Sequence, residues 1–284
     1  MKKIIGIFVL CIFLTSCASE TIYIRKKSEI KENELKVHYI NLENGKSAIF
    51  ELPNGECMIV DSGTTEDFPV VFEYLKNLDV KTVDYMVITS NDLYHLGGAK
   101  KIIQNFNVHE MYVSKCIRNK KLYDSTANEA VVSKCIIHTA EGGTEILSDD
   151  NLSISVASPV NEIYNNPEDY SLSVMISYGN INFFVQGDCG VDSENDMYTS
   201  IGKYLKSDVL SVSNSASGFT SSTSFLQKTA PKYAVVQVYG EKKPEKRILK
   251  TLEALGIYAL RTDVNGNIII TSNSNAIVNI NTER

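Results

Sequence analysis

The chain has 284 residues, which is enough for one large domain or two small ones with a sizeable core. Hydrophobic residues make up 43% of it and charged residues 22%, a composition typical of a globular α/β protein and not of a disordered one. The formal net charge of −6 disfavours nucleic-acid binding as a main role, although local basic patches are compatible with it.

The first residues have the pattern of a secretion signal. A lysine pair precedes an apolar run, Ile4–Leu14, that is too short to span a bilayer but has the length of a signal-peptide core. The sequence Leu-Thr-Ser-Cys at 14–17 is similar to the bacterial lipoprotein box, in which the cysteine is lipidated. This resemblance predicts a signal peptide at 1–16 and a lipid on Cys17 that holds the protein at the extracytoplasmic face of the cell membrane. A simple secretory signal with an incidental Cys17 is the alternative.

A polar and charged segment at 17–34 predicts a tether before a domain at 35–284. Outside the cytoplasm, the four cysteines of that domain could pair in three ways. Cys116 and Cys135 flank one polar segment and are the best candidates among the possible pairs, but the favoured interpretation is that they are not joined. Cys57 lies in an apolar strand, which favours a buried free thiol. The absence of C-x-x-C from the sequence disfavours a structural zinc site.

Short strands organise the start of the domain. Leu35–Ile40, Ser47–Leu52 and Cys57–Val60 alternate or run apolar, and Asn-Gly pairs separate them, which predicts a meander joined by Asn-Gly turns. Apolar residues at helical spacing then predict a helix over Phe68–Leu78, and Val83–Ile88 is predicted as the next strand.

The segment Thr89–Gly98 (TSNDLYHLGG) joins that strand to a predicted helix over Ala99–Phe106. A polar loop between a strand and a Gly-Gly helix start is a common place for a site. The element order and this loop resemble the metallo-β-lactamase fold, whose motif there is T-H-x-H-x-D-H followed by small residues. The resemblance implies a single α/β domain, a four-layer αββα sandwich, with a cleft for one or two metal ions.

The opening LKVHYINLENGKSAIFELPNGECMIVDSG is similar to the DNA-uptake (competence) branch of that fold. Where the branch has the loop D-V-G-Q-G-D, residues 41–46 keep only Gly45. Further on, Ser158-Pro159 and Gly187-Asp188 align with the branch's S-P and G-D. The segment 213–217 aligns with its G-H-H-G-S, and the segment 239–243 aligns with its Y-G-H-P-H. The resemblance covers about 35–271.

Two residues match the metal-ligand positions that this resemblance implies, namely His95 and Asp188. The positions that differ are Ser90, Asp92, Tyr94, Asn214, Ser215 and Glu241. Losing several ligands together should abolish tight zinc binding. Asp92, His95, Asp188 and Glu241 would form an oxygen-rich set that suits magnesium, manganese or calcium better than zinc, if they converge. The favoured interpretation is a hydrogen-bonded remnant with no cofactor.

Other candidate sites carry less chemistry. Asp61 is expected to support the motif loop by accepting backbone hydrogen bonds. The serine-rich segment Ser211–Ser224 contains no G-x-S-x-G elbow, which disfavours a serine nucleophile with His95 as its base. The basic runs Lys115–Lys121 and Lys242–Arg247 could meet phosphates, but solvent-facing surfaces are the favoured interpretation. The other three histidines, at 38, 109 and 138, are expected to be ordinary residues.

The leading hypothesis is a membrane-anchored lipoprotein whose domain is a pseudoenzyme that binds a protein partner or small ligand in the former active-site cleft. The rival is a metal-dependent hydrolase, phosphodiesterase-like or nuclease-like, with a reduced or non-zinc site that holds magnesium, manganese or zinc. A third hypothesis is a structural accessory protein of the cell surface. Convergence of Asp92, His95, Asp188 and Glu241 would favour the enzyme over the binding protein.

Overall fold

The structure is a computed structural model that describes residues 33–217 and 220–284; at Lys203 it describes the backbone only. The predicted signal peptide, Cys17 with its predicted lipid and nearly all of the predicted tether lie outside the described residues. Within the described part, no helix combines the length and the apolar character needed to cross a membrane.

The first half of the domain mixes strands and helices, and its first strand begins at Leu35, where a strand was predicted to begin. Its elements are β1 (Leu35–Tyr39), β2 (Ala48–Glu51), β3 (Cys57–Val60), α1 (Phe68–Asn77), β4 (Thr82–Ile88), α2 (Leu93–Leu96), α3 (Ala99–Asn105), β5 (Asn107–Ser114), α4 (Lys120–Ser133) and β6 (Ile136–Ala140).

The second half starts with antiparallel strands and continues with alternating strands and helices. Its elements are β7 (Glu145–Ser148), β8 (Leu152–Ser158), β9 (Ser173–Tyr178), β10 (Ile181–Gln186), α5 (Val191–Ile201), β11 (Val209–Ser211), α6 (Thr223–Thr229), β12 (Tyr233–Val236), α7 (Lys246–Ala254), β13 (Tyr258–Arg261), α8 (Thr262–Asn265), β14 (Ile268–Ser272) and β15 (Ile277–Thr282).

These strands form two sheets that pack face to face. The first has the order β15-β14-β1-β2-β3-β4-β5-β6, and the second has the order β13-β12-β11-β10-β9-β8-β7. One apolar core fills the space between the sheets, and two more lie under the helices on the outer faces. Sheets with one apolar cluster on each face are covered on both sides, which confirms the predicted four-layer αββα sandwich.

The Asn-Gly turn predicted between β1 and β2 is wrong. Residues 40–47 form a longer loop, and Gly45 is needed there for close packing, because a Cβ atom would lie 2.6 Å from the Tyr94 carbonyl oxygen. A two-residue turn at Gly179-Asn180 joins β9 to β10, since Tyr178 pairs with Ile181 and Gly179 has a φ of +57°.

Parallel pairing brings the functional loops to one end of the sandwich. β3 and β4 run parallel in the first sheet, and β10, β11 and β12 run parallel in the second. The carboxyl ends of parallel strands lie at one edge of a sheet, so the loops that follow these five strands meet in a cleft. The Leu172 amide donates to the Thr89 carbonyl oxygen at 2.8 Å and joins the two sheets there.

Candidate functional site

The motif loop is anchored at its first residue. The Thr89 amide donates to an Asp61 carboxylate oxygen at 2.7 Å, and the Thr89 hydroxyl donates to the same carboxylate at 2.8 and 2.9 Å. This confirms the supporting contact predicted for Asp61. Burial raises the pKa of Asp61, and the positive charges of His95 and Lys46 oppose that rise.

Backbone hydrogen bonds connect three loops into one frame. The Lys46 amide donates to the Tyr94 carbonyl oxygen at 3.1 Å, and the Gly63 amide donates to the Lys46 carbonyl oxygen at 2.9 Å. The Gly98 amide donates in turn to the Gly63 carbonyl oxygen at 3.0 Å. A Cβ atom at position 98 would lie 2.3 Å from the Ser62 carbonyl oxygen, so this approach requires glycine.

Three of the four predicted ligands converge in the cleft. Asp92, His95 and Asp188 each offer one ligand atom, and these atoms lie within 4.8 Å of one another, so the group could hold a metal ion. The His95 Nδ1 lies 2.8 Å from Asp92 Oδ1, and its Nε2 lies 3.4 Å from Asp188 Oδ1. Glu241, the fourth predicted ligand, is exposed and does not belong to the group.

Asp92 already has a full set of hydrogen-bond donors. Besides its contact with His95, its carboxylate accepts from the Tyr94 amide at 2.9 Å and from the Ser90 hydroxyl at 2.9 Å. Arg118 adds a donor at 3.1 Å from Asp92 Oδ2. Asp92 therefore caps the short helix α2 and orients the imidazole of His95.

Lys242 reaches into the cleft, which sequence reasoning missed. Its Nζ lies 3.6 Å from Asp188 Oδ2, and it donates to Asn214 Oδ1 at 2.5 Å and to the Tyr239 hydroxyl at 2.9 Å. The ammonium also lies over the ring of Tyr239, 4.4 Å from its centroid. The interpretation of the run Lys242–Arg247 as solvent-facing is wrong at its first residue. A polar loop sequence gives no local signal for such a long-range contact.

A second lysine is buried below the cleft. Only 2% of Lys46 is exposed, and its Nζ donates to the Gln186 carbonyl oxygen at 2.5 Å. Burial lowers the pKa of Lys46, and the negative charges of Asp61 and Asp188 oppose that change. Lys46 occupies the last position of the loop that reads D-V-G-Q-G-D in the competence branch. A lysine where that branch has an aspartate is the sequence feature that could have identified Lys46 as a site residue.

Opposite charges stabilise the charged forms of His95 and Asp188. Burial alone would lower the pKa of His95, but Asp92, Asp188 and Asp61 raise it well above its ordinary value. Burial alone would raise the pKa of Asp188, but His95, Lys242 and Lys46 hold it well below its usual range. The cleft is therefore a network of buried ion pairs.

This arrangement of strands, motif loop and cleft has counterparts in known proteins. A family model described as the Metallo-beta-lactamase superfamily matches residues 42–120, which include Asp61 and the whole motif loop. The metallo-beta-lactamase fold protein YhfI from Bacillus subtilis superposes with a TM-score of 0.53 at 10% identity, over 80% of this chain and 95% of that one. This chain has the metallo-β-lactamase fold.

Two further proteins extend the comparison. The Zn(2+)-bound PqqB from Methylobacterium extorquens shares this metallo-β-lactamase fold, with a TM-score of 0.52 and 10% identity over 80% of this chain and 97% of that one. ComE operon protein 3 of Bacillus subtilis (strain 168) is 24% identical over 206 residues, 70% of this chain but only 26% of that protein. The chain thus spans about a quarter of that relative, and the predicted likeness to the competence branch is confirmed.

The residues that the resemblance aligns with metal-ligand positions make other contacts in the structure. Ser90 donates to Asp92, Asn214 accepts from Lys242, and the Ser215 hydroxyl donates to the Gln237 carbonyl oxygen at 2.9 Å. Tyr94 is 42% exposed. One feature favours a metal nonetheless: the buried Nε2 of His95 makes no well-aligned hydrogen bond with the described residues, and its contact with Asp188 Oδ1 is long, at 3.4 Å.

The remaining sequence predictions concern residues outside the trio. The other three histidines pair with Glu51, Asp84 and Glu110, away from the cleft. Cys116 and Cys135 are not joined, and the four cysteines of the described residues are free thiols. Arg118, in the basic run Lys115–Lys121, contacts Asp92 and is not purely solvent-facing.

Proposed function

We propose that this domain is a non-hydrolytic member of the metallo-β-lactamase fold that acts as a binding or accessory module. The observation that carries the proposal is the state of the two matching ligands. His95 has one ring nitrogen bound to Asp92, and Asp188 is surrounded by the donors Lys242, Tyr239 and His95. Water activation in this fold requires a metal with an open coordination position, and these side chains are engaged with each other instead.

A metal-free route through serine has no support either. The Ser213 hydroxyl donates to the Cys189 carbonyl oxygen at 2.8 Å, and the Ser215 hydroxyl is bound in the same way to Gln237. A nucleophilic serine needs its hydroxyl within reach of a base, and neither hydroxyl contacts His95. The cleft therefore supports binding better than hydrolysis.

The mouth of the cleft defines what could bind there. Tyr94 is 42% exposed beside the partly exposed side chains of Arg118 and Lys242. An aromatic ring next to two cationic groups suits a protein segment or small ligand with an apolar part and a carboxylate or phosphate. The lipoprotein box at Cys17 supports placing the module at the extracytoplasmic face of the cell membrane.

The proposal is tested by measuring phosphodiester hydrolysis. The full chain in detergent is assayed with bis(p-nitrophenyl) phosphate and with single-stranded DNA, with zinc, manganese or magnesium added in turn. We expect no rate above that of the Asp188→Asn variant under any condition. A metal-stimulated rate that this variant lacks would contradict the proposal.

The alternative is a metal-dependent hydrolase with a reduced or non-zinc site. The convergence of Asp92, His95 and Asp188 supports it, as does the long 3.4 Å contact of His95 Nε2, which makes no well-aligned hydrogen bond. These three residues would hold one ion, and a divalent ion would supply Lewis-acid chemistry when bound. The same assay decides between the two, because this alternative requires turnover that Asp188→Asn and His95→Ala both remove.

A further inference from the structure

We infer that the ammonium group of Lys242 takes the place of a metal ion in this cleft, so that the site carries its cation on its own chain. The inference rests on the proposed function and explains how the fold persists without most of its metal ligands. The inference predicts whether the cleft binds a metal ion, whereas the proposed function predicts whether the domain hydrolyses a substrate.

The surroundings of the ammonium resemble those of a bound cation. Three oxygen atoms face Lys242 Nζ: Asp188 Oδ2 at 3.6 Å, Asn214 Oδ1 at 2.5 Å and the Tyr239 hydroxyl at 2.9 Å. Asp188 and Asn214 stand at positions where the metallo-β-lactamase family has metal ligands. The ammonium thus binds the same part of the scaffold that would otherwise bind an ion.

An additional ion does not fit on the side of Asp188 that Lys242 occupies. A metal–carboxylate bond is about 2.0–2.2 Å long. Lys242 Nζ is already 3.6 Å from Asp188 Oδ2, so an ion bound to that oxygen on the same side would collide with the ammonium. A metal can enter there only if the lysine side chain leaves.

The charges around the two carboxylates also disfavour an additional ion. Arg118 lies 3.1 Å from Asp92 Oδ2 and Lys242 Nζ lies 3.6 Å from Asp188 Oδ2, so each carboxylate already faces a cationic side chain. A divalent ion would add two positive charges beside these cations, and unpaired buried charge is costly.

The loop that carries Lys242 is fixed in place. The Gly240 amide donates to the Glu43 carbonyl oxygen at 2.7 Å, and Gly240 adopts a left-handed φ of +58°. Tyr239 is 2% exposed, and its hydroxyl donates to Asp188 Oδ1 at 3.3 Å. The lysine is therefore held over the carboxylate by a buried aromatic anchor.

The experiment compares metal binding in four full-length proteins kept in detergent. They are the wild type, Lys242→Met, the double variant Lys242→Met/Asp188→Asn, and Lys243→Met, which removes the neighbouring exposed lysine as a matched control. Each is dialysed against zinc or manganese, and bound metal per chain is measured by elemental mass spectrometry. We expect about one ion only in Lys242→Met, with an affinity at least tenfold above that of the wild type.

Two results would overturn the inference. One is a stoichiometric ion in the wild type; the other is a folded Lys242→Met protein that binds no more metal than Lys243→Met. If Lys242→Met does not fold, the wild type is labelled with an amine-acetylating reagent instead. Lys242 must then react more slowly than Lys243, and equal rates would reject its engagement in the cleft.

The two proposals fail separately. A wild type that binds metal but has no turnover refutes the ammonium inference and leaves the binding module intact. A metal-free wild type that hydrolyses phosphodiesters refutes the binding module and leaves the inference intact.

Discussion

The imidazole of His95 and the carboxylate of Asp188 face each other across the cleft, with 3.4 Å between Nε2 and Oδ1. His95 follows β4 of the first sheet and Asp188 follows β10 of the second, so the pair connects the two halves of the sandwich. Both side chains are almost fully buried. Their attraction therefore contributes to the packing of one sheet on the other.

Removing one member of this pair should destabilise the domain. Asp188→Asn leaves His95 with Asp92, and His95→Gln leaves Asp188 with Lys242. Each variant should therefore lose only part of the roughly 3–5 kcal/mol that breaking a buried ion pair typically costs. The double variant should lose less than the sum, by about 1–3 kcal/mol, because the residues are coupled. Urea unfolding of the four proteins gives this coupling energy, and a value near zero would show that the contact has no energetic role.

Stability should also depend on pH through this pair. The folded pKa of Asp188 is lowered, so its contribution is present above the ordinary aspartate pKa of about 3.9 and is lost as the pH falls below it. The folded pKa of His95 is raised, so its contribution is complete below about 6.5 and is lost as the pH rises through the raised pKa.

The measurement is the difference in unfolding free energy between wild type and Asp188→Asn, from pH 3 to pH 10. The difference should be largest between about pH 5 and pH 6.5 and should shrink at both ends. A difference that stays constant across this range would contradict the ion pair.

Two left-handed helix ends allow a test of backbone strain. Ala230 ends α6 with a φ of +41° and is exposed, so Ala230→Gly should stabilise the domain by about 1 kcal/mol. Gly256 has a φ of +71° with open space around its Cα, so Gly256→Ala should cost a similar amount by strain alone. Thermal unfolding should show shifts of opposite sign, and shifts of the same sign would refute the reasoning.

The cysteines of the domain should differ in reactivity. Cys116 is partly exposed, whereas the other three are buried. Burial raises the pKa of Cys135 to about 11 and that of Cys189 to about 12, so little thiolate forms at neutral pH. N-ethylmaleimide at pH 7 should therefore modify Cys116 first, as read by peptide mass spectrometry. A Cys116–Cys135 disulfide in a non-reduced digest would contradict the free thiols.

Local pattern was sufficient to predict most of the scaffold. The strand Cys57–Val60 has the predicted bounds, and the helix predicted at Phe68–Leu78 ends one residue earlier. Apolar periodicity reports the buried face of an element directly, which is why these segments were recognisable. The helix α4 was missed because few apolar residues mark its face: only Thr126 and Ala130 are buried in it.

The site was predictable only where a motif marked it. Asp61, Asp92, His95 and Asp188 stand at motif positions, and all four lie in the cleft. A lysine in a polar loop usually faces solvent, so the sequence predicts no buried contact for Lys242. Its partner Asp188 is distant in sequence, and only the folded chain brings them together.

The frame of the cleft consists of main-chain atoms, and this has an evolutionary consequence. Amide-to-carbonyl bonds between Lys46, Tyr94, Gly63 and Gly98 do not depend on which side chains the non-glycine positions carry. Mutations at positions such as Ser90 or Tyr94 can therefore accumulate without dismantling the loops around them. Such a scaffold can keep the geometry of its loops, including the close-packed glycines, while the side chains in the cleft change and the chemistry changes with them.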